Sequence, residues 1–314
     1  MYTPLRPSTT QDLPIRHMTY RVSTWGQPRA DVPPLVLLHG WMDVGASYQF
    51  VVDALSEAFF AGRQIIAPDW RGFGHSTPPA PCDHYSFADY LGDLDALLDH
   101  FAPSGQTVDL VGHSMGGNVV MLYAGARPAR IRRLINLEGF GLPATQPQQA
   151  PRRVGKWLDE LKALRSGSIS LKTYDNVQAV AARLQKTNHR LTADKALWLA
   201  GEWAAPNAEG RWAILGDAAH KVVNPQLFRL EEALAHYAAI TAPVLAVEAS
   251  EDSLGQWWKD QYSLTEYHER LKSVTNYRIA RVDDAGHMLH HDQPLKVAQM
   301  IESFCQREPV HITD

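Results

Sequence analysis

Three short runs of mainly apolar residues constrain the fold of this chain most. Leu35-Val36-Leu37-Leu38 ends at His39-Gly40, Gln64-Ile65-Ile66-Ala67 ends at Pro68-Asp69, and Val108-Asp109-Leu110-Val111 ends at Gly112. A continuous apolar run suits a strand buried on both faces, and such strands belong to parallel sheets covered by helices. Parallel neighbours need long crossovers, usually helical. Residues 47–61 read as a helix. In 86–101, Phe87, Leu91, Leu94, Leu97, Leu98 and Phe101 share one helical stripe, with Ser86 placed as a cap. Residues 118–126 read as a further helix and 133–137 as a fourth strand. Residues 15–24 alternate polar and apolar positions and predict an early antiparallel strand. The whole pattern predicts a doubly wound α/β fold with a mostly parallel sheet.

The rhythm breaks after Gly141-Leu142-Pro143. Helical segments at 152–165, 171–186, 192–204 and 225–239 follow, punctuated by Pro147, Pro151, Pro206 and Pro225, with no buried strand. Pro243 to Val247 restores the strand pattern, 277–282 is a last short strand, and 294–306 is a closing helix. A chain of 314 residues accommodates one large domain with an insertion. The expected organisation is a core of residues 1–143 and 241–314, with residues 144–240 inserted as a helical cap over the strand ends, where open α/β sheets bind ligands.

Gly112-His113-Ser114-Met115-Gly116 lies between a buried strand and a helix and fits Gly-x-Ser-x-Gly. Small residues permit a tight turn that lifts the serine hydroxyl above the sheet and aims a helix N-terminus at it. A serine nucleophile needs a base, and the base an orienting acid. His287, in Asp284-Ala285-Gly286-His287-Met288 after the last strand, is the expected base. Asp252, in Ser250-Glu251-Asp252-Ser253, is the expected acid, and Glu138, at the end of strand 133–137, is the competing carboxylate. The oxyanion donors are expected at the N–H groups of Met115 and Trp41, with Gly40 letting the backbone turn closely. His290 and His291 lack a companion carboxylate or cysteine at useful spacing, so they read as solvated surface residues, and no metal or cofactor is expected.

The formal net charge is -4, without long basic or acidic runs, so nucleic acid is not an expected partner. No stretch approaches the ~18 apolar residues of a membrane span, and no signal-peptide core is present near Met1. Cys82 and Cys305 read as two free thiols in a reducing compartment, and the expected location is the cytoplasm. No sequence feature signals an oligomeric state.

His39-Gly40-Trp41, Asp69-Trp70-Arg71-Gly72-Phe73-Gly74-His75-Ser76, the turn at Ser114, Pro243 to Asp252, and Gly286-His287 together resemble the α/β-hydrolase superfamily. The resemblance implies a carboxylesterase-like serine hydrolase with a helical cap. In similar proteins the acid is commonly the first aspartate past the strand after the cap, which Asp252 matches. Glu138, with Pro143 close behind, matches the haloalkane dehalogenases, whose acid follows the strand before the cap. The segment from Asp69 looks like the Asp-x-Arg-Gly-x-Gly-x-Ser signature and reads as structural. Gly72-Phe73-Gly74 lacks the third glycine of a dinucleotide loop, since Thr77 stands there. Epoxide hydrolases and haloalkane dehalogenases use Asp at the turn, so Ser114 leaves ester, thioester, amide, lactone or carbon–carbon bonds. Trp157, Trp198, Trp203, Trp212, Trp257 and Trp258 read as packing of the cap, with an apolar acyl pocket as the alternative. The expected substrate is a small to medium hydrophobic ester-like molecule. The alternatives are a carbon–carbon hydrolase, an acyltransferase, or a non-catalytic ligand-binding protein of the same fold.

Overall fold

A computed structural model describes residues 2–103 and 105–306. Strands β1 (Thr9–Ile15) and β2 (Met18–Trp25) form an antiparallel hairpin where the sequence suggested one strand. The apolar runs become β3 (Leu35–Leu38), β4 (Ile65–Pro68) and β5 (Val108–His113), each buried throughout. Between β3 and β4 stand two short helices, α1 (Gln49–Ala54) and α2 (Glu57–Phe60), separated by an extended Leu55. Helix α3 (Phe87–Phe101) turns Leu94, Leu97 and Leu98 into the core, but the Ser86 side chain makes no capping hydrogen bond. Helix α4 (Met115–Ala126) follows β5 without a linker longer than Ser114, and β6 (Ile131–Leu137) comes next.

The segment between β6 and the next core strand is α5 (Ala150–Arg165), β7 (Thr173–Tyr174), α6 (Val177–Thr187), α7 (Ala193–Trp203), β8 (Ala204–Pro206), β9 (Trp212–Ile214) and α8 (Leu230–Ala238). It is mainly helical, as expected, but also carries a small antiparallel sheet in the order β7-β9-β8. The core then resumes with β10 (Val244–Ala249), α9 (Ser253–Trp258), α10 (Leu264–Leu271), β11 (Tyr277–Val282), α11 (Leu289–Asp292) and α12 (Pro294–Gln306).

The main sheet has the order β1-β2-β4-β3-β5-β6-β10-β11. The β1–β2 and β2–β4 pairs are antiparallel and the others parallel. Apolar clusters cover both faces: Val36, Leu38 and Leu110 face α3 and α4, whereas Leu35, Leu37 and Val111 face α1 and α12. The chain winds from β3 to β4 on one side and returns to β5 on the other, so the strand order reverses at β3. That reversal opens a crevice beyond the carboxyl ends of β3 and β5.

The Asp69–Ser76 segment is structural. Asp69 is buried and accepts from the backbone N–H groups of Gly45 at 2.8 Å and His75 at 3.0 Å. Arg71 makes a two-pronged bond to the buried Asp93 at 2.6 and 2.8 Å, and the Tyr20 hydroxyl donates to the same carboxylate at 2.5 Å. One loop, one helix and one strand are thereby fixed against each other beside the crevice.

Candidate active site

Three non-glycine residues with left-handed backbone stand at the carboxyl ends of three neighbouring strands. They are Met42 after β3 (φ +56°), Ser114 after β5 (φ +52°) and Glu138 after β6 (φ +55°). Such residues persist only where surrounding structure holds them, and they cluster at functional sites. At Ser114 the cause is visible. A Cβ on Gly112 would meet the Gly116 carbonyl oxygen at 2.3 Å, and a Cβ on Gly116 would meet that of Leu38 at 2.3 Å. The turn closes so tightly that only glycine fits on each side. Ser114 N–H donates to Leu137 O at 2.8 Å, which ties the turn to β6. As the first residue of α4, Met115 has an N–H with no partner one turn earlier in the helix.

Ser114 and His287 line one cavity of about 360 Å³. Gly40 and Trp41 form part of its wall, and a Cβ on Gly40 would stand 3.0 Å from the Ser114 Cβ. His39 orders this wall. Its Nε2 accepts from the Trp70 N–H at 2.7 Å, so in the neutral ring the proton sits on Nδ1, which donates to Gly40 O at 2.7 Å. Burial lowers the His39 pKa and favours that neutral form. A trans peptide points its N–H opposite to its carbonyl, so the Trp41 N–H is turned away from His39.

The carboxylate that meets His287 is Glu138, not Asp252. Glu138 Oε2 lies 3.1 Å from His287 Nδ1, and its Oε1 accepts from the Ala249 N–H at 2.8 Å. Glu138 is buried, which raises its pKa, while the bonds from Ala249 and the Ser253 hydroxyl lower it. Asp252 is exposed and spends its carboxylate on the N-terminus of α9, accepting from the Gly255 N–H at 2.8 Å. Its neighbour Glu251 pairs with Arg190 at 2.7 Å. With Nδ1–H given to Glu138, the His287 Nε2 lone pair is left for a proton from elsewhere. Burial lowers the His287 pKa, and the Asp43 carboxylate opposes that shift. The Trp257 ring stands edge-on to the imidazole, 4.3 Å between centroids.

His290 and His291 are buried, which corrects their reading as surface residues. The missing companion is Asp43, far away in sequence. It accepts from the Ser47 hydroxyl at 2.9 Å and faces His290 Nε2 at 3.8 Å. The His290 ring packs on His113 at 4.4 Å, and His113 Nε2 donates to the His287 carbonyl at 2.8 Å. Burial pushes the His113 imidazole down to about 4, so it is neutral near pH 7. A histidine network anchored on Asp43 therefore braces the loop that carries His287. Sequence reasoning missed it because neither Asp43 nor His113 stands near the histidine pair along the chain. Asp43, His290 and His291 also bring three possible donor atoms within 4.8 Å of one another. Among the six tryptophans of the 157–258 region, Trp203 lines the cavity, whereas Trp157 packs on His84 and Trp198 on Tyr2 and Phe50.

The model of the alpha/beta hydrolase fold family matches residues 33–294, and the chain belongs to that family. Its relatives include the AB hydrolase superfamily protein YfhM of Bacillus subtilis (strain 168), 25% identical over 285 residues that cover 89% of this chain and 92% of that protein. A serine hydrolase-like protein of Danio rerio is 24% identical over 302 residues, covering 90% and 86%. Among solved structures, the thioesterase domain from the curacin biosynthetic pathway superposes with a TM-score of 0.79 at 22% identity, covering 94% of this chain and 99% of that one, a likeness of fold. Cys82 and Cys305 are free thiols. Among the described residues, no helix is long and apolar enough to cross a membrane.

Proposed function

We propose that this protein is a serine hydrolase that cleaves an ester-type bond through a covalent acyl-enzyme, with Ser114 as nucleophile, His287 as base and Glu138 as the orienting acid. The observation that carries this reading is the conjunction at one cavity of a serine on a strained strand-to-helix turn and a partly buried histidine bonded to a buried carboxylate. The serine hydrolase-like relative supports it. The segment 144–240 acts as the cap over this cavity.

In the forward step His287 Nε2 takes the Ser114 proton as the hydroxyl oxygen attacks the carbonyl carbon. Glu138 holds the Nδ1–H tautomer and stabilises the imidazolium that forms. The N–H groups of Trp41 and Met115 receive the oxyanion, donors whose directions the His39–Gly40 bond and the helix start have already set. His287 then returns the proton to the leaving group. Water, activated by the same histidine, releases the acid and restores Ser114.

A fluorophosphonate probe tests the assignment. Labelling is expected at Ser114, and the Ser114→Ala protein should neither label nor release p-nitrophenol from p-nitrophenyl butyrate. Turnover that survives Ser114→Ala would exclude the acyl-enzyme.

A further inference from the structure

The cavity that holds Ser114 is not uniformly apolar. Leu191 and Leu199 are among its buried wall residues, but three cations from separate elements of the 144–240 segment also line it. Lys172 precedes β7, Arg183 lies on α6, and Lys221 ends a short 3₁₀ turn at Ala218–Lys221. All three are exposed, so they stand at the mouth. Among the described residues none of them has a carboxylate partner. Elsewhere on the same segment Lys156, Arg165, Arg190, Arg211 and Arg229 are each paired with one, whereas, among the described residues, Arg152, Arg153, Lys162, Lys186 and Lys195 are not, so it is the shared position on the cavity rim that sets Lys172, Arg183 and Lys221 apart. The carboxylate on the cavity wall is Asp43, which is buried and engaged by Ser47. Lys221 is held in place by donating to Ser170 O at 2.7 Å. In a chain whose net charge is -4, three unneutralised cations on one concave rim are a local reversal of sign. A cleft lined by one sign concentrates ligands of the other.

We infer that the natural substrate is amphiphilic, an ester or thioester with an apolar part beside the scissile bond and an anionic group, carboxylate or phosphate, received at the mouth by Lys172, Arg183 and Lys221. The inference rests on the hydrolase reading above and narrows its substrate class. The apolar wall accepts the acyl part, and the cations select for charge at the far end. Their contribution falls as salt rises, because they sit at the solvent boundary.

The test compares matched pairs at low ionic strength. Mono-p-nitrophenyl glutarate against p-nitrophenyl butyrate is the carboxylate arm. Butyryl-coenzyme A against S-butyryl-N-acetylcysteamine is the phosphate arm. The kcat/KM ratio of anionic to neutral substrate should exceed unity by on the order of tenfold in at least one arm. It should shrink in 0.5 M NaCl and collapse in the Lys172→Glu/Arg183→Glu protein, whose folding is checked by its fluorophosphonate labelling. The arm that responds names the anion. Equal or lower ratios in both arms, or a preference that the double variant retains, overturn the inference and leave the hydrolase reading standing. No turnover of either neutral substrate together with no labelling of Ser114 overturns both.

Discussion

Glu138 and Asp252 each follow a core strand, and position along the chain favours Asp252. Backbone geometry separates them. Glu138 sits in left-handed backbone that aims its side chain across the sheet ends at His287, whereas the Asp252 carboxylate folds back onto its own helix. The Asp252-to-Gly255 spacing is that of an ordinary N-cap, a signal present in the sequence that would have demoted Asp252. The expected outcome is that Glu138→Gln lowers kcat on p-nitrophenyl butyrate by on the order of 10⁴, as loss of a triad acid does. Asp252→Asn should leave kcat within a few-fold and stability nearly unchanged, because Asn caps a helix about as well as Asp, whereas Asp252→Ala should cost about 0.5–2 kcal/mol of stability through the lost cap. A crippled Asp252→Asn beside an active Glu138→Gln would reverse the assignment. The pH profile reports on the partner. His287 must be neutral to accept a proton, so kcat/KM falls as pH drops through its pKa. Burial lowers that pKa from the ordinary value of about 6.5. The acid limb should therefore inflect below pH 6.5 for wild type, and an inflection above that value contradicts a neutral, partly desolvated His287.

At the scale of elements, the strands legible in the sequence are those buried on both faces, because a continuous apolar run has few other uses in a globular chain. Strand β1 escaped notice because Thr9 to Asp12 are exposed and show no pattern, and the β7-β9-β8 sheet because its strands are two or three residues long and, Ala204 apart, not buried. The Asp69–Ser76 loop shows how a motif fixes elements to each other. Its Arg71 reaches Asp93 on α3, which also receives Tyr20 from β2 and Arg16 at 3.0 Å. Removing the Asp93 charge leaves the buried Arg71 guanidinium only the partly exposed Asp89 carboxylate at 3.1 Å, and breaking a buried pair typically costs 3–5 kcal/mol. Asp93→Asn should lower the unfolding free energy by about that amount in a denaturant titration while fluorophosphonate still labels the folded fraction. A loss under about 1 kcal/mol would mean that the pair contributes little to holding β2, the loop and α3 together.

For the whole molecule, the question is how the 144–240 segment sits on the core. A change of rhythm marks the segment in the sequence, but its attachments involve residues too far apart along the chain to be paired by pattern. The Trp203 indole donates to Met42 O at 2.8 Å, directly behind the loop that carries Trp41. Backbone bonds run from Gly74 to Leu215 and from Asp217 to Gly72, each at 2.9 Å. The His220 ring is sandwiched between Phe73 at 3.7 Å and Tyr85 at 4.0 Å, both from the core. Arg190 bridges to Glu251 and Asp284, and Val180, Leu191 and Leu199 share one buried cluster with Val44 and Phe50. Lids that open at a lipid surface are held by few contacts, since the low-stability parts of a fold are the ones that move. Here the attachments surround the cavity on several sides and include the strained turn at Met42, so opening the 144–240 segment as a body would break apolar packing, hydrogen bonds and ion pairs at once. The catalytic rate should thus be indifferent to an interface. On tributyrin the velocity should rise hyperbolically with concentration and pass through the solubility limit without a jump. A marked rise in velocity once emulsion droplets form would show that the segment swings open as a unit, and would overturn the view of it as a fixed roof.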